Sequence, residues 1–370
     1  MNIAWRKVLL DSGATIGAHA GVPACVAFAG EACATSIADL SHQGVLAVRG
    51  PDAAKFLQGY LTCDVAQLHE APQEGALCNL QGRMITNFLA IAQSDGVLLR
   101  MHRSLVDATR AVLAKYIVFS KAKLTDESDR WQRIGIAGPA AEGLIAQQLA
   151  QTGHRDDLAA PAARPPGATV PDTTLSRTAQ SDTHTVALAL TEGSRYELWL
   201  PPAIAAQAWT TLTRSAHPIS VWRWEGMDIQ AGRAWVTAAT AGEYLPQMFN
   251  LDTRGAISFT KGCYLGQEIV TRAQHRGGVK RRLARGRLSP CGVNAGTAGV
   301  HIDTAGVSIG DVVQLNAKDV GEVVAVGLTD APEALAVLSL SALRSATAGA
   351  GLTVGSASFT LLKLPYPVDD

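Results

Sequence analysis

The sequence predicts an α+β fold, with two successive mixed strand–helix units and a C-terminal β-barrel. Three observations carry that expectation. Strand-length apolar runs alternate with amphipathic helices through two cycles, one opening at Gly44 and the other at Trp131. Beyond about Arg285 the texture changes to short alternating strands with Gly and Asp between them and no long helix. The chain has 370 residues, 47% apolar and 17% charged, a globular composition too long for one ordinary core.

The elements follow in order. The first forty residues read as a poorly patterned lead-in. Val45, Leu46 and Val48 then suggest a strand, and Gly50-Pro51-Asp52 opens a helix carrying Ala53, Phe56, Leu57 and Tyr60. Runs at 76–80, 85–92 and 97–101, separated by turn-forming Gln81-Gly82-Arg83 and Ser94-Asp95-Gly96, read as antiparallel strands, with a helix at 105–117. The second cycle has a strand at 131–137, a Gly138-Pro139 turn and a helix at 140–149. The Pro-, Ala- and Thr-rich stretch at 151–182 lacks periodicity and reads as a mobile surface loop. Strands at 186–190 and 196–200 and a helix at 202–214 complete the unit. Barrel strands are expected at 312–315, 323–326, 335–340 and 359–362. The division is a region of two interleaved α+β units at 35–282, with 151–182 as its mobile loop, and a barrel at 283–370.

Charge and cysteine usage narrow the function classes. Formal net charge is zero, so any attraction to nucleic acid or an anionic membrane must come from a local patch. No apolar run is long enough to span a bilayer, and Asp11 interrupts the only candidate leader, which makes the cytoplasm the expected address. Cys25, Cys33, Cys63, Cys78, Cys263 and Cys291 form no C-x-x-C pair and no zinc spacing, so no metal site is expected.

The most informative segment is Lys261-Gly262-Cys263-Tyr264-Leu265-Gly266-Gln267-Glu268. Two glycines bracket a cysteine and the chain behind them turns helical. Gly262 is expected to take a conformation closed to other residues or to let a ligand approach. A free thiol is only about 3% ionised at neutral pH, and half-ionisation needs roughly 2 kcal/mol. A helix terminus supplies about 0.3–1 kcal/mol of it, so Lys261 or an arginine is expected to provide the rest.

A basic run follows, Arg272, Arg276, Lys280, Arg281, Arg282, Arg285 and Arg287, with no acidic residue before Asp303. It suits glutamate carboxylates or RNA phosphates, although no aromatics are interleaved for base stacking. Trp222, Trp224 and Trp235 cluster around an amphipathic stretch. The helical spacing of Trp224, Met227 and Ala231 reads as a core stripe, the alternative being a tryptophan at a pocket mouth stacked on a flat heterocycle. Histidines give no Ser/His/Asp arrangement.

The octapeptide at 261–268 resembles the signature of the YgfZ family, relatives of the glycine-cleavage T-protein. Further matches arrive in order: Gly50-Pro51-Asp52, Phe56-Leu57-Gln58-Gly59, Thr62, Asp64-Val65, Tyr116 through Lys121, Ile229 through Gly232, Pro246-Gln247, Asn250-Leu251, Ile257-Ser258-Phe259, Arg276-Gly277 and Leu364-Pro365-Tyr366. The resemblance implies a T-protein-like ring, with tetrahydrofolate or a derivative in a central hole. It implies that Cys263 is the functional thiol and that Lys261, Gly262, Tyr264, Gln267, Glu268 and Arg276 lie beside the hole. It further implies folate contacts at Trp224 and at Glu197 of a Tyr-Glu pair. Gln43 stands where bacterial members have a second folate-associated tryptophan. Thr86 and Asn87 stand where the T-protein has paired aspartates, and neither is a carboxylate base, so no glycine-cleavage activity is expected.

Three readings follow. The first is a folate-binding accessory protein for iron–sulfur cluster assembly or repair, and through iron–sulfur enzymes for tRNA modification. The alternatives are a folate-dependent aminomethyl or one-carbon transferase and an RNA-binding module using the basic run.

Overall fold

A computed structural model describes residues 1–28, 34–151, 176–180, 185–191, 194–290 and 306–368, with backbone only at 151, 176–180, 191, 276, 277 and 290. Cys33, Cys291 and most of the stretch at 151–182 lie outside the described residues.

The chain opens with helix α1 (Ile3–Asp11), the hairpin β1 (Ala14–His19) and β2 (Val22–Phe28), then β3 (Ser36–Asp39) and β4 (Gln43–Arg49). Helix α2 (Ala53–Gln58) precedes a meander of β5 (Gln73–Cys78), β6 (Met84–Gln93) and β7 (Gly96–His102). Helix α3 (Val106–Ala114), β8 (Lys123–Asp126), β9 (Gln132–Ala137), α4 (Ala141–Gln151) and β10 (Ser176–Gln180) come next. They are followed by β11 (Val186–Thr191), β12 (Arg195–Leu200), α5 (Pro202–Leu212), β13 (His217–Ile219) and α6 (Val221–Gln230). A long irregular stretch leads to α7 (Gln267–Arg272). The C-terminal strands are β14 (Arg281–Pro290), β15 (Val312–Leu315), β16 (Lys318–Leu328), β17 (Pro332–Ser339), β18 (Leu352–Val354) and β19 (Ala357–Leu362), with α8 (Leu340–Thr347) after β17.

An antiparallel sheet, a second sheet with one parallel pair (β13 with β3) and a closed barrel result. The first sheet runs β5-β6-β7-β4-β8, the second β10-β11-β12-β9-β3-β13, and the barrel β14-β17-β16-β15-β18-β19. Strand β3 belongs to the second sheet and its neighbour β4 to the first, so the chain interleaves the units. Strand β4 shows why its residues form a buried strand: Leu46 and Val48 enter the core under the first sheet, while Val45 and Ala47 enter the layer between the sheets. Such period-2 alternation with apolar residues on both faces fits a strand covered on both sides, each full burial stabilising by about 1.5–3 kcal/mol.

Two expectations are corrected here. The lead-in is structured: Asn2 caps α1, and Trp5 and Leu9, one helical turn apart, pack into the core of the second sheet with Trp209. The i, i+4 apolar pair was the available signal; its partner lies some two hundred residues away, beyond local pattern. Residues 176–180, expected in the loop, form the edge strand β10 paired with β11.

Candidate functional site

The segment around Cys263 is held by its neighbours. Thr62 Oγ1 donates to Ala256 O and accepts from Ala76 N at 2.8 Å, and Thr62 O accepts from Ser258 N at 2.8 Å. Lys261 Nζ donates to the carbonyls of Leu61 and Cys63, each at 2.8 Å, and lies over the Tyr264 ring. Tyr264 is buried and Leu265 N donates to Gly59 O at 3.2 Å. With Lys261 and Tyr264 drawn inward, Cys263 is left exposed. Gly266 takes φ +80 at the start of α7, and a Cβ there would lie 2.5 Å from Asn79 O. Asn79 in turn organises its own turn, its Oδ1 accepting from Gln81 N and Arg83 N at 3.0 Å. The glycine that the backbone requires is therefore Gly266; Gly262 has no left-handed φ and an added Cβ there would meet nothing within 4 Å, which removes the conformational half of the Gly262 expectation and leaves close approach of a ligand.

Cys263 lines an open groove of about 950 Å³ with Leu80, Phe259, Leu265, Gln267 and His275. The other described cysteines, Cys25, Cys63 and Cys78, are buried, and burial pushes their thiols up, to about 12 for Cys63 and for Cys78. The ammonium expected to activate Cys263 is engaged elsewhere: Lys261 is committed to two carbonyls, and burial pulls it down to about 8. Glu268 pairs with Arg272 at 2.9 Å on the exposed face of α7. Leu80, Phe259 and His275 were missed by sequence reading, because three separate segments converge here and none carries a local signal. The side chain of Arg276 lies outside the described residues.

The basic run does not form the open field its composition suggested. Arg282 is buried and held by Asp252 at 2.7 Å, Arg285 by Glu333 at 2.6 Å, and Arg287 approaches Glu333 at 4.0 Å. These carboxylates come from distant positions, which is why the stretch looked uncompensated in sequence. Lys280 and Arg281 remain exposed.

Trp224 and Glu197 belong to the interior. Trp224 is fully buried on α6 between the sheets, with the Arg195 guanidinium 4.1 Å from its ring centroid, so the core-stripe reading holds and the pocket-mouth alternative does not. Glu197, also fully buried, accepts from Arg100 and, at 3.0 Å, from Trp199 Nε1. Around them runs a buried ionic network. Asp228 pairs with Arg195 at 2.7 Å and accepts from Trp235 Nε1 at 2.9 Å, while Glu74 pairs with Arg233 at 2.7 Å and with Arg254. Arg195 and Arg233 hold the Asp228 carboxyl well below the usual carboxylate range against the opposing effect of burial. The cavity where α6 meets the barrel has a volume of only about 10 Å³, lined by His19, His102, Glu225, Asp228, Arg233, Trp235 and barrel residues Val324 and Ala325. His19 sits 2.9 Å from Glu225, a buried pair that sequence reading missed. Neither Trp224 nor Glu197 lines the Cys263 groove, so the expected single site is divided between an outer groove and a packed interior. Asn87 is committed there too, donating to Ala234 O at 2.8 Å and accepting from Val236 N at 2.7 Å, and Thr86 Oγ1 donates to Asn87 O. Among the described residues, no group of three or more His, Cys, Asp or Glu is placed to hold a metal ion. No helix among them is long and apolar enough to cross a membrane.

The fold and this distribution of residues define a protein of the T-protein class. Residues 31–223 match the family model described as the GCVT N-terminal domain. The glycine cleavage system aminomethyltransferase T from Bartonella henselae superposes with a TM-score of 0.73 at 15% identity, covering 98% of this chain and 97% of that one, a likeness of fold. Within the class, the tRNA-modifying protein YgfZ of Sodalis glossinidius is 32% identical over 249 residues, 67% of this chain and 70% of that protein. That of Colwellia psychrerythraea is 32% identical over 250 residues, with the same coverage of 67% and 70%. The chain belongs to the YgfZ family.

Proposed function

We propose that this chain is a folate-binding factor in tRNA modification that works through the thiol of Cys263 and serves iron–sulfur enzymes. Its relatives carry the name tRNA-modifying protein, and the matched domain is the one named for the glycine-cleavage T-protein. The observation that carries the thiol part is the exposure of Cys263 at an open groove while the other described cysteines are sealed. An exposed thiol in a groove can be reached by a partner, and its thiolate is both nucleophile and metal ligand. Lys261 and Gly266 act by holding the loop that presents it.

Two alternatives are weaker. Aminomethyl transfer needs a carboxylate where Thr86 and Asn87 stand, and the Asn87 amide is committed to backbone groups. RNA binding through the basic run loses three of its seven charges to Asp252, Glu268 and Glu333, and Arg282 is buried.

Folate stands on family membership, and the interior as packed does not fit a pterin at Trp224 and Glu197. Both are sealed, Glu197 with hydrogen-bond partners and Trp224 under the Arg195 guanidinium with its indole Nε1 left unpartnered, and the cavity beside α6, of about 10 Å³, holds at most one water. No step is therefore derived through folate. Calorimetric titration with tetrahydrofolate and its one-carbon derivatives tests that part alone: absent heats at high-micromolar ligand remove folate from the reading and leave the thiol untouched. For the thiol, Cys263→Ser is expected to abolish complementation of a strain lacking the gene while shifting the melting temperature by less than about 2 °C. Full complementation by that variant would remove the thiol role.

A further inference from the structure

Exposed apolar side chains concentrate at two places tied to the loop that carries Cys263. Eight large hydrophobics are exposed among the described residues, and three of them, Tyr116 at 41%, Val118 at 73% and Phe119 at 98%, fall within four positions. They sit on the turn between α3 and β8. Nothing local requires this, since a turn is satisfied as well by polar residues. Leu80, 71% exposed, is a fourth, and it lines the Cys263 groove with Phe259.

The two apolar regions flank the same segment. Tyr116 packs at a tilt against Tyr60, ring centroids 5.0 Å apart, and the neighbouring Gly59 O accepts from Leu265 N, so the turn reaches the 261–266 loop through one side chain and one hydrogen bond. Ile117 and Leu265 pack against a common core. On the other side of the loop, Gly266 rests against the turn that carries Leu80. Clustered exposed apolar groups of this kind mark interaction sites.

Charge defines the partner. Lys115, Lys121 and Lys123 flank the turn, all exposed, and no ion pair involving them occurs among the described residues. The three lysines outnumber the Asp52 carboxylate, which accepts from Lys121 N at 2.7 Å, and Glu268 of the groove is paired with Arg272, so the surface is apolar at its centre with a net positive rim that suits an acidic partner with apolar anchors. Shape distinguishes the class of partner. A bilayer can meet the protruding turn but cannot enter the groove, whereas a protein segment can occupy both. Tyr116 and Phe119 do offer faces to a base, so tRNA binding enters the test as an outcome that overturns the proposal.

We propose that the Ile117–Phe119 turn and the adjoining Cys263 groove form a docking surface for an acidic protein segment bearing apolar anchor side chains. The inference deepens the function proposed above by giving the thiol a partner surface, and its test is separate because the residues substituted are not the cysteine.

The test is selection of displayed random peptides on the full chain, followed by affinity measurement of the synthetic consensus peptide. Enriched peptides should be rich in Asp and Glu with Leu or Phe anchors. The double variant Val118→Ser, Phe119→Ser should bind the consensus at least about tenfold more weakly, and Val312→Ser, at an exposed apolar residue of the barrel outside this surface, should bind it as the wild type does. Both substituted side chains are solvent-exposed, so an unchanged melting temperature is expected to accompany the loss. Binding should also weaken several-fold as salt rises from about 0.05 to 0.5 M. The proposal is overturned if no peptides enrich over an unrelated protein, or if the consensus binds the double variant equally well. It is equally overturned if the double variant instead loses affinity for vesicles containing anionic phospholipid or for tRNA, with peptide binding unchanged.

Discussion

Gly262 and Gly266 bracket the same cysteine, yet only one of them is required by geometry. Gly266 has a left-handed backbone and faces Asn79 O across a gap too small for a methyl group. Gly266→Ala is expected to lower stability by about 1–3 kcal/mol in urea unfolding, while Gly262→Ala changes it by less than about 0.5 kcal/mol. Titration gives a second prediction at this scale. His102 is buried with Nδ1 against Ser104 Oγ at 2.8 Å; burial first, and then the charge of His19, pull it down to about 4. The unfolded chain therefore takes up a proton near pH 6.5 that the folded chain refuses until near pH 4. Stability falls as the pH drops through that interval. His102→Gln should flatten this acid limb, read as a smaller loss of melting temperature between pH 6.5 and 4.5 than in the wild type. His19 works in the opposite direction. Glu225 raises it against burial, so its contribution is present below pH 6.5 and fades as the pH rises through the folded value.

Helix α6 is the element on which the interior turns. Trp224 and Asp228, one turn apart on its buried face, place an indole and a carboxylate in the same core stripe. A charged residue on an apolar stripe was the sequence signal for a buried partner, but nothing in the local pattern named Arg195 or Arg233. Replacing Asp228 by Asn leaves the shape and removes the charge that both guanidiniums face. A loss of about 3–5 kcal/mol is expected, because an uncompensated buried cation is left behind. The urea midpoint would report it, and a change under about 1 kcal/mol would mean the network is dispensable. Strand β14 makes the complementary point. Its alternating arginines looked like a field for anions, and pairing with β17 delivers Glu333 to two of them.

At the scale of the molecule, the barrel is seated by backbone contact. A Cβ on Gly226 of α6 would collide with the carbonyl of Leu328 at the end of β16, so helix and barrel strand approach as closely as two backbones can. Gly226→Ala should lower stability by roughly 1–3 kcal/mol and hasten limited proteolysis between the barrel and the rest of the chain, while the far-ultraviolet circular dichroism stays near wild type.

Most strands and helices from Gly44 to Leu212, though not β8 or β10, the barrel texture and the octapeptide were legible because each depends on local periodicity, turn chemistry or a contiguous motif. The sequence alone left undecided which cysteine is exposed, which arginines are neutralised and whether Trp224 meets a ligand or a core. Each of those is fixed by side chains brought together from distant positions: Lys261 with the carbonyls of Leu61 and Cys63, Arg282 with Asp252, Trp224 beneath Arg195. Burial and pairing are properties of spatial neighbours, and a linear pattern carries only neighbours along the chain.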